Sequence, residues 1–373
     1  MIRRIFLFLI SFMLLGNYIQ ANNPVEDNLF LVVGSYSNGT TSGISVYDFN
    51  IQTGDFTFIS DVKEVMNPSY LAISPDEKMI YSVNETREGE ASSFRFDKRT
   101  GALTFVNTQP AKGANPCYIN IDKGQNFIVT ANYTGGNLSV FPLDKDGSIK
   151  PMSMNINYNI PDTTASNMHL VIFSPDNTRL LATDLGKDNI YSFEVRPGAK
   201  DNFLVDPPAS VTKLAPGSGP RHLAFHPNGK FLYCINEKSG KVTTIKYTDN
   251  KLEPIQYIAS DTTQSVIRKS SADIHLTSDG RFLYSSNRGA RTDGIHMFSV
   301  NPETGLLTSL GYQSTGVQPR NFNITPNDKF LLCANQNSNN IQIFEIDPVK
   351  GTLKDTGKVI SVGRPVCLKW VKK

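Results

Sequence analysis

The chain repeats one pattern of apolar and polar positions along most of its length. A short apolar segment leads into a turn of Pro-Asp or Asp-Gly type, and a second apolar segment then ends in Asn or Asp. Six copies lie about 50 residues apart and begin at Pro68, Pro116, Met168, Pro220, Ala272 and Pro319. Alternating segments such as "GNLSVFPL" and "NNIQIFEID" follow, usually with a Gly-containing turn and a fourth, weaker segment. Short apolar runs bounded by turn residues predict four β-strands in each repeat.

Four strands that recur at this period are typical of the blades of a β-propeller. The two chain ends supply a seventh blade. The chain from residue 29 onward contains "LFLVVGSY", "GISVYDF" and "FTFISDV", which match strands two to four, and residues 365–371, "PVCLKWV", match an innermost strand. Pairing of the two ends in one blade closes the ring and leaves no open sheet edge. The predicted fold is therefore all-β, a seven-bladed propeller that occupies residues 25–373 as one domain.

The N-terminus follows a different pattern. Arg3 and Arg4 precede the apolar run "IFLFLISFMLLG", residues 5–16, and a polar stretch then leads to Ala21. This layout is typical of a secretory signal peptide. The run has about 12 residues, fewer than the roughly 20 that a membrane-spanning helix needs, and an uncleaved anchor is the alternative. We predict that residues 1–24 are a signal peptide and leader. The protein is then exported, periplasmic or secreted, with no stable membrane insertion after cleavage.

The composition agrees with a globular protein in water. Of the 373 residues, 39% are hydrophobic and 19% are charged. The net charge of +3 is spread along the chain without a basic block, so nucleic acid is not an expected partner.

The four cysteines are not expected to form disulfides. Cys234 and Cys333 occupy the same strand position in two repeats and should lie far apart, and Cys117 and Cys367 lie on separate strands. We predict that all four are small buried hydrophobic residues.

Charged and polar residues recur at the start of the first strand and just after the end of the second strand of each repeat. These strands are antiparallel, so the start of the first and the end of the second lie on the same face, near the channel. The first strands begin at Ser69, Cys117, His169, Arg221, Ala272, Arg320 and, in the closing blade, Val366. The second strands are followed by Glu85, Tyr133, Leu185, Glu237, Arg288 and Gln336. The charged, histidine and tyrosine members of these two sets are therefore predicted to surround one mouth of the channel.

A purely structural interpretation of the mouth is the alternative, since Arg and Glu could form ion pairs between blades without catalysis. The Asn or Asp that ends each second strand is predicted to be structural, because short polar side chains bond readily to turn backbone. Among the histidines, His222 is predicted to orient its neighbours. His226 and His296 are expected to have no function, whereas His275 could face the channel or a neighbouring blade.

Several kinds of site are excluded by the sequence motifs. Metal-ligand spacings such as His-x-Glu, Cys-x-x-Cys and HExxH do not occur, nor does the G-x-S-x-G nucleophile elbow. No Gly-rich phosphate loop opens a helix, so neither a metal nor a cofactor is predicted. What remains is a mouth with arginines, which suit an anionic ligand, and with Glu and His, which suit proton transfer.

These motifs resemble those of the seven-bladed lactonases, a family whose named activity is 6-phosphogluconolactonase. The resemblance extends from about residue 29 to residue 371. It rests on "NPSYLAISPDEKMIYSVNE", "ANYTGGNLSVFPLDKDGSI", "TDLGKDNIYSFEV", "GSGPRHLAFHPNGKFLYCINE", "SSNRG" and "QPRNFNITPNDKFLLCANQ", in that order and at blade spacing. The family is also similar to the fungal muconate cyclases, in which a His, a Glu and two Arg at the channel mouth are implicated.

Motif by motif, the resemblance implies four catalytic residues. They are His169 before "VIFSPD", Arg221 in "GPRH", Glu237 in "INE" and Arg288 in "SNRG". Where many relatives have His-x-His in the fourth blade, this chain has Asn167 in place of the first His, so only His169 is retained.

The resulting hypothesis is hydrolysis of a sugar lactone to the aldonic acid. Glu237 would act as the general base on water, and Arg221 and Arg288 would stabilise the oxyanion. His169 would position the substrate or protonate the ring oxygen. The predicted substrate-binding residues are Arg320, Tyr133, Glu85 and His222.

Two other functions stay open from the sequence. One is an exported, non-enzymatic propeller that binds an anionic glycan or a protein partner, and the other is a lactone-forming enzyme like the muconate cyclases. The expected partner is a small-molecule sugar lactone, and a monomer is expected. The export signal favours an unphosphorylated lactone, because phosphorylated sugar lactones are cytoplasmic metabolites.

Overall fold

The computed structural model describes residues 27–37, 43–160, 163–199, 202–262, 269–289 and 293–373. The predicted signal peptide and leader, residues 1–24, lie outside these ranges, so that prediction stays untested. No helix in the described part of the chain is long and apolar enough to cross a membrane.

The described residues form seven four-stranded antiparallel sheets, the blades. Blade 1 contains β1 (Asn28–Ser35), β2 (Ile44–Asn50) and β3 (Phe56–Val62). Blade 2 contains β4 (Leu71–Ile73), β5 (Met79–Asn84), β6 (Glu90–Asp97) and β7 (Ala102–Pro110). Blade 3 contains β8 (Pro116–Ile121), β9 (Phe127–Asn132), β10 (Asn137–Pro142) and β11 (Met154–Asn157). Blade 4 contains β12 (Met168–Phe173), β13 (Arg179–Asp184), β14 (Asn189–Glu194) and β15 (Ser210–Lys213).

The remaining blades repeat the same order. Blade 5 contains β16 (Pro220–Phe225), β17 (Phe231–Asn236), β18 (Lys241–Thr248) and β19 (Lys251–Ala259). Blade 6 contains β20 (Ser271–Leu276), β21 (Phe282–Asn287), β22 (Gly294–Val300) and β23 (Leu307–Ser314). Blade 7 contains β24 (Pro319–Ile324), β25 (Phe330–Asn335), β26 (Asn340–Ile346) and β27 (Leu353–Ser361), and the chain then ends with β28 (Pro365–Lys372).

The ring closes through the two ends of the chain. Strand β28 pairs antiparallel with β1, from Leu29 opposite Lys372 to Gly34 opposite Cys367, and becomes the innermost strand of blade 1. Each innermost strand contacts the next around the ring, including β28 with β4 and β24 with β28. The predicted seven-bladed fold and its mode of closure are therefore confirmed.

A β-bulge interrupts the start of most innermost strands. In blade 5 the pairing passes from Pro220 directly to His222, so Arg221 has no partner on β17. Equivalent shifts skip His169 in blade 4 and Arg320 in blade 7. An unpaired bulge residue bends the strand and re-aims its side chain, a common feature beside active sites. The bulges therefore place selected side chains at the mouth of the channel.

Buried tyrosines connect neighbouring blades through hydrogen bonds far from the mouth of the channel. Each lies in a second strand and donates its hydroxyl to a glycine carbonyl in a turn of the next blade. The pairs are Tyr81 with Gly147, Tyr233 with Gly305 and Tyr284 with Gly351, at 3.0, 2.9 and 3.0 Å. These bonds satisfy the polar ends of large apolar side chains in the core between blades.

The four cysteines are free and buried. Burial is the largest cause that raises the pKa of each thiol, so these side chains are uncharged near neutral pH. The prediction that they serve as small buried hydrophobic residues is confirmed.

Candidate active site

The side chains at the mouth are anchored by a backbone hydrogen bond that recurs in the blades. The residue after the second strand donates its N–H to the carbonyl of the residue before the innermost strand. The bond measures 2.7 Å from Glu237 to Gly219 and 3.0 Å from Tyr36 to Arg364. Tyr36 therefore completes, in blade 1, the set that follows the second strands. The sequence analysis did not identify it, although "LFLVVGSY" ends at this register position.

Glu237 is the centre of an ion network on one wall of the mouth. Its Oε2 accepts hydrogen bonds of 3.0 Å from Nε of Arg221 and 3.0 Å from Nη2 of Arg288. The arginine side chains are 2% and 8% exposed, compared with 15% for Glu237. No donor from the described residues bonds the second carboxylate oxygen, Oε1. One oxygen is thus fixed by two cations, and the other remains available to water or substrate.

Further donors of the two arginines are bonded to protein acceptors. Nη1 of Arg221 donates to the carbonyl of Ala272 and lies 3.2 Å from Nε2 of His222. Nε of Arg288 donates to the carbonyl of Ser270 at 3.1 Å. Both guanidinium groups are therefore fixed in position before any ligand arrives.

The surrounding charges keep Glu237 ionised. Burial alone would raise its pKa, but Arg288, Arg221 and Arg320 outweigh burial and hold the pKa of Glu237 below its ordinary value. Burial and Arg221 lower the pKa of Arg288 to about 9, which leaves it a cation at neutral pH. The carboxylate is therefore deprotonated throughout the neutral range.

His169 borders the same wall and is uncharged. It is 4% exposed, and its Nδ1 has no hydrogen-bond partner within the described part of the chain. Its ring meets those of Tyr133 and His222 edge-on, with centroids 5.7 and 5.2 Å away. Burial, followed by Arg221 and His222, lowers the pKa of His169 well below 6.5. A buried polar atom without a partner is costly, so this imidazole is suited to bonding a bound molecule.

A second ion network forms the opposite wall. The hydroxyl of Tyr36 donates to Oε2 of Glu85 at 2.7 Å, and Nη2 of Arg320 lies 3.8 Å from the same oxygen. The guanidinium of Arg320 also lies over the Tyr36 ring, 5.3 Å from its centroid. Arg320 thus reaches from blade 7 past blade 1 to a carboxylate of blade 2.

A layer of side chains lies directly beneath the mouth, and Asp273 is its anchor. Asp273 is 2% exposed and accepts hydrogen bonds from Nδ1 of His222 at 2.6 Å and Nε2 of His275 at 3.0 Å. His222 bonds Oδ1, whereas the side chain of Asn321 and the backbone N–H of Phe322 donate to Oδ2, the oxygen that His275 also bonds. The sequence analysis missed Asp273, whose signal was an acidic residue inside the first strand of blade 6.

The partners of His222 fix its protonation. Burial would raise the pKa of Asp273, but His275 and His222 hold it well below the ordinary range. Burial and Arg221 lower the pKa of His222 to about 4. A carboxylate only accepts and a guanidinium only donates, so Nδ1 of His222 carries the proton and Nε2 accepts from Arg221. His222 therefore lies below the mouth, where it contacts Arg221, and not on the surface of the mouth. Its predicted roles, in orienting its neighbours and in binding substrate, stay predictions.

Aromatic rings fill the channel at this level. Tyr70 and Tyr118 stack with centroids 3.8 Å apart, and both meet the His222 ring edge-on, at 5.9 and 5.3 Å. These contacts join blades 2 and 3 to blade 5 across the channel. The mouth is consequently a cup with a floor of side chains.

The Asn or Asp residues that end the second strands have structural partners. Asp184 accepts backbone N–H bonds from Asn167, Gly186 and Lys187 at 2.9 to 3.1 Å. Asn236 instead donates to the Lys241 carbonyl at 3.1 Å and to the hydroxyl of a neighbouring threonine. Bonds to turn backbone were expected for all of these residues, but several of them bond side chains on the next strand instead.

Asn167, which replaces a histidine of many relatives, also has a structural partner. Its side-chain amide donates to the backbone carbonyl of Tyr133 at 3.1 Å and so supports a residue of the mouth. His226 and His296 lie away from the mouth, bonded to the Gly280 carbonyl and the Ser309 hydroxyl. Within the described ranges, no group of three or more His, Cys, Asp or Glu residues could hold a metal ion.

Comparison with known proteins gives one consistent result. The family model described as "Lactonase, 7-bladed beta-propeller" matches residues 30–370. A 6-phosphogluconolactonase of Formosa agariphila is 40% identical over 335 residues, which cover 87% of this chain and 94% of that protein. A 6-phosphogluconolactonase of Bacillus subtilis is 33% identical over 350 residues, 91% of this chain and 97% of that one.

A solved structure extends the match to three dimensions. The periplasmic gluconolactonase of Pseudomonas aeruginosa superposes with a TM-score of 0.86 at 31% identity, covering 92% of this chain and 99% of that one. The match includes all seven blades and the motifs that carry His169, Arg221, Glu237 and Arg288. The chain belongs to the seven-bladed β-propeller lactonase family.

Proposed function

We propose that the cup at the channel mouth hydrolyses a sugar lactone, with Glu237 as the general base. As a member of its family, the protein is a lactone hydrolase, and its relatives are named for 6-phosphogluconolactone and gluconolactone. The observation that carries the assignment of the base is the geometry of Glu237. Two arginines hold one carboxylate oxygen, and the other oxygen is left for water.

The reaction then follows from the positions of the groups. Oε1 of Glu237 takes a proton from water as the water oxygen bonds to the lactone carbonyl carbon. Arg221 and Arg288 stabilise the negative charge that develops on the carbonyl oxygen. The bond to the ring oxygen breaks, and the proton held by Glu237 returns to that oxygen, so the product is the open hydroxy acid.

His169 has a narrower part in this scheme than the sequence suggested. Because the pKa of His169 is well below 6.5, it carries no second proton at neutral pH and does not act as a charged acid. Its neutral N–H donates to the ring oxygen or to a hydroxyl of the substrate. Tyr133, whose ring packs against it, lines the same side of the cup.

Replacement of Glu237 tests the proposal. Glu237→Gln keeps the shape of the side chain but removes the base, and general-base catalysis contributes roughly 10²- to 10⁴-fold to a rate. We expect kcat for gluconolactone or 6-phosphogluconolactone to fall by about that factor, after subtraction of spontaneous hydrolysis. Glu303→Gln, at an exposed position in an outer turn, is the matched control and should retain full activity.

The outcomes of this assay are distinct. A loss below tenfold would remove Glu237 from the role of base. No turnover by the unaltered protein on either lactone would favour the non-enzymatic propeller. Formation of lactone from the hydroxy acid without hydrolysis would favour the cyclase-like alternative.

Export is the second part of the proposal. Arg3, Arg4 and the apolar run that follows have the layout of a signal peptide, and the Pseudomonas aeruginosa relative is named as periplasmic. We expect the chain, expressed in a Gram-negative host, to appear in the periplasmic fraction without its first 20 or so residues. Mass spectrometry of the mature N-terminus measures this. A full-length cytoplasmic chain would contradict export, and a full-length chain in the membrane fraction would indicate an uncleaved anchor.

A further inference from the structure

The floor of the cup divides the channel into two parts. Its side chains belong to the second residue of each innermost strand and are at most 8% exposed. They are Tyr70, Tyr118, Leu170, His222, Asp273, Asn321 and Cys367. Strand side chains alternate, so those two positions further along point to the channel again. We call this second set the lower channel, and its members, which are half-buried except for Ala72, are Ala72, Asn120, Ile172, Ala224, His275, Asn323 and Lys369.

His275 joins the lower channel to the floor. Its side chain is 30% exposed, compared with 2% for Asp273, and its Nε2 bonds the Asp273 carboxylate at 3.0 Å. The Phe322 ring meets the imidazole edge-on with centroids 4.9 Å apart, which fixes the orientation of the imidazole. Because the floor residues are buried, the exposed part of His275 faces the lower channel and not the cup. The ring thus contacts the neighbouring blade and also borders the channel, the two positions that the sequence left open.

The contacts of His275 continue through the floor to the cup. Oδ2 of Asp273 bonds His275, and Oδ1 of the same carboxylate bonds Nδ1 of His222 at 2.6 Å. Nε2 of His222 in turn accepts from Arg221, whose Nε bonds the proposed base Glu237. Hydrogen bonds in such a series polarise one another, so the negative charge on Asp273 strengthens the acceptor that His222 presents to Arg221. A proton on His275 compensates part of that charge and weakens the acceptor.

His275 is the member of this series that is suited to changing its charge in mild acid. An imidazole in contact with water titrates between about pH 5 and pH 8. Burial and Arg221 lower the pKa of His222 to about 4, and the two histidines hold the pKa of Asp273 well below its ordinary range. In the cup, three arginines hold the pKa of Glu237 below its ordinary value. These three groups therefore keep their charge state in the window in which an imidazole titrates.

The other titratable groups of the floor and the lower channel are two tyrosines, one cysteine and one lysine. Burial raises the pKa of Tyr70, of Tyr118 and of Cys367, so these groups stay uncharged. Nζ of Lys369 lies 4.4 Å from the centroid of the Tyr70 ring and 3.3 Å from the Tyr70 hydroxyl. A lysine is already protonated in mild acid, so Lys369 contributes a constant positive charge to the lower channel.

We propose that His275 is a positioning residue for the lactonase reaction, which acts from the far side of the floor without touching substrate. Its Nε2 carries the proton bonded to Asp273, so a further proton from the lower channel binds Nδ1. This proton weakens the contact between His222 and Arg221 and lowers turnover in mild acid, because donors fixed in advance are the source of oxyanion stabilisation. The proposal rests on the lactonase function above and adds a residue to it.

The test measures kcat at about pH 7.5 and about pH 5.5 with gluconolactone, a neutral substrate that has no titrating group in this window. The net contribution of one hydrogen bond corresponds to about two- to tenfold in a rate. We expect kcat of the unaltered chain to fall by about that factor at the lower pH, after subtraction of spontaneous hydrolysis. In His275→Gln, which keeps a donor for Asp273 but does not titrate, the two kcat values should be nearly equal.

A second histidine provides the matched control. His226 bonds the Gly280 carbonyl in a turn of blade 6, away from the mouth, and His226→Gln should show the same decrease in acid as the unaltered chain. Equal decreases in the unaltered chain and in His275→Gln would overturn the proposal. So would a kcat of the unaltered chain that stays constant or rises in acid.

A titration followed by nuclear magnetic resonance separates this inference from the proposed function, because it needs no turnover and no variant. The chain has five histidines, so ¹⁵N labelling of their rings gives few signals. We expect the ring nitrogen shifts of His222 to change with the midpoint at which His275 itself titrates. If they do so in a chain that hydrolyses no lactone, the coupling stands and the proposed reaction fails. If lactones are hydrolysed and His222 does not respond to His275, the reaction stands and this inference fails.

Discussion

Arg221 contacts Glu237 in the cup, the backbone carbonyl of Ala272, and His222 in the layer beneath the cup. The proton on Nδ1 of His222 is bonded to Asp273, so Nε2 presents its lone pair to Arg221. A chain of four residues therefore runs from a buried carboxylate to the proposed base. Groups fixed in this way need little reorganisation when charge develops in a transition state, which is the main source of electrostatic catalysis.

A pair of substitutions at His222 tests this chain of contacts. His222→Phe keeps a ring but removes the acceptor for Arg221, whereas His222→Gln can place an amide oxygen near the position of Nε2. We expect the Phe variant to lose about 10- to 100-fold in kcat, the magnitude of a hydrogen bond to a charged group, with KM changed little. The Gln variant should recover most of the loss. Steady-state kinetics on a single lactone measure both.

Thermal unfolding of the same two variants is the control. A merely structural role for His222 would lower the stability of both variants and leave kcat of the folded fraction unchanged. Equal kcat values for the Phe and Gln variants would also contradict the proposed role of the His222–Arg221 contact, because only the Gln variant keeps an acceptor for Arg221.

At the scale of the strand, the bulge is the element that builds the site. A regular strand would point Arg221 and His222 to opposite faces of its sheet, since successive side chains alternate. The skipped pairing at Arg221 instead brings the two side chains into contact, with 3.2 Å between Nη1 of Arg221 and Nε2 of His222. The same shift at His169 and Arg320 brings side chains from three blades to one cup.

Much of this arrangement follows from the sequence, because it depends on local patterns. Turn residues and apolar runs define the strands, and antiparallel pairing alone assigns the start of one strand and the end of the next to the same edge. The register thus identifies Arg221 and Glu237 as neighbours. Closure by β28 also follows from the sequence. The three strands at the N-terminal end lack an innermost strand, and the C-terminal end supplies one.

The contacts that could not be predicted are those made between blades. Asp273 contacts His222 of the preceding blade and Asn321 of the next, and only the curvature of the closed ring sets those distances. Likewise, Arg320 reaches Glu85 across an intervening blade. Tyr36 was overlooked because Ser35 stands where the other second strands end in Asn or Asp, so the repeat was harder to align there.

At the scale of the whole molecule, the ring concentrates ionisable groups in its channel and excludes water from them. His169 and His222 are 4% and 3% exposed, with apolar packing between blades on either side. Both are surrounded by arginines, so protonation of either imidazole in the native state is opposed by burial and by like charge. The folded state is consequently stable while His169 and His222 are neutral, and we expect acid to lower its free energy of unfolding.

The stability of the protein should therefore fall between pH 7 and pH 5. His222 has a pKa of about 4 in the folded state against about 6.5 when unfolded, so in this window the unfolded chain binds more protons and acid favours it. His222 alone should cost about 2 kcal/mol of unfolding free energy over the two pH units, and His169 acts in the same direction. Urea unfolding at both pH values measures the change. In His222→Gln the decrease should be smaller by about 2 kcal/mol, because glutamine does not titrate. An identical decrease in the variant would mean that His222 accepts a proton in the native state, and the neutral tautomer that connects Asp273 to Arg221 would then be wrong.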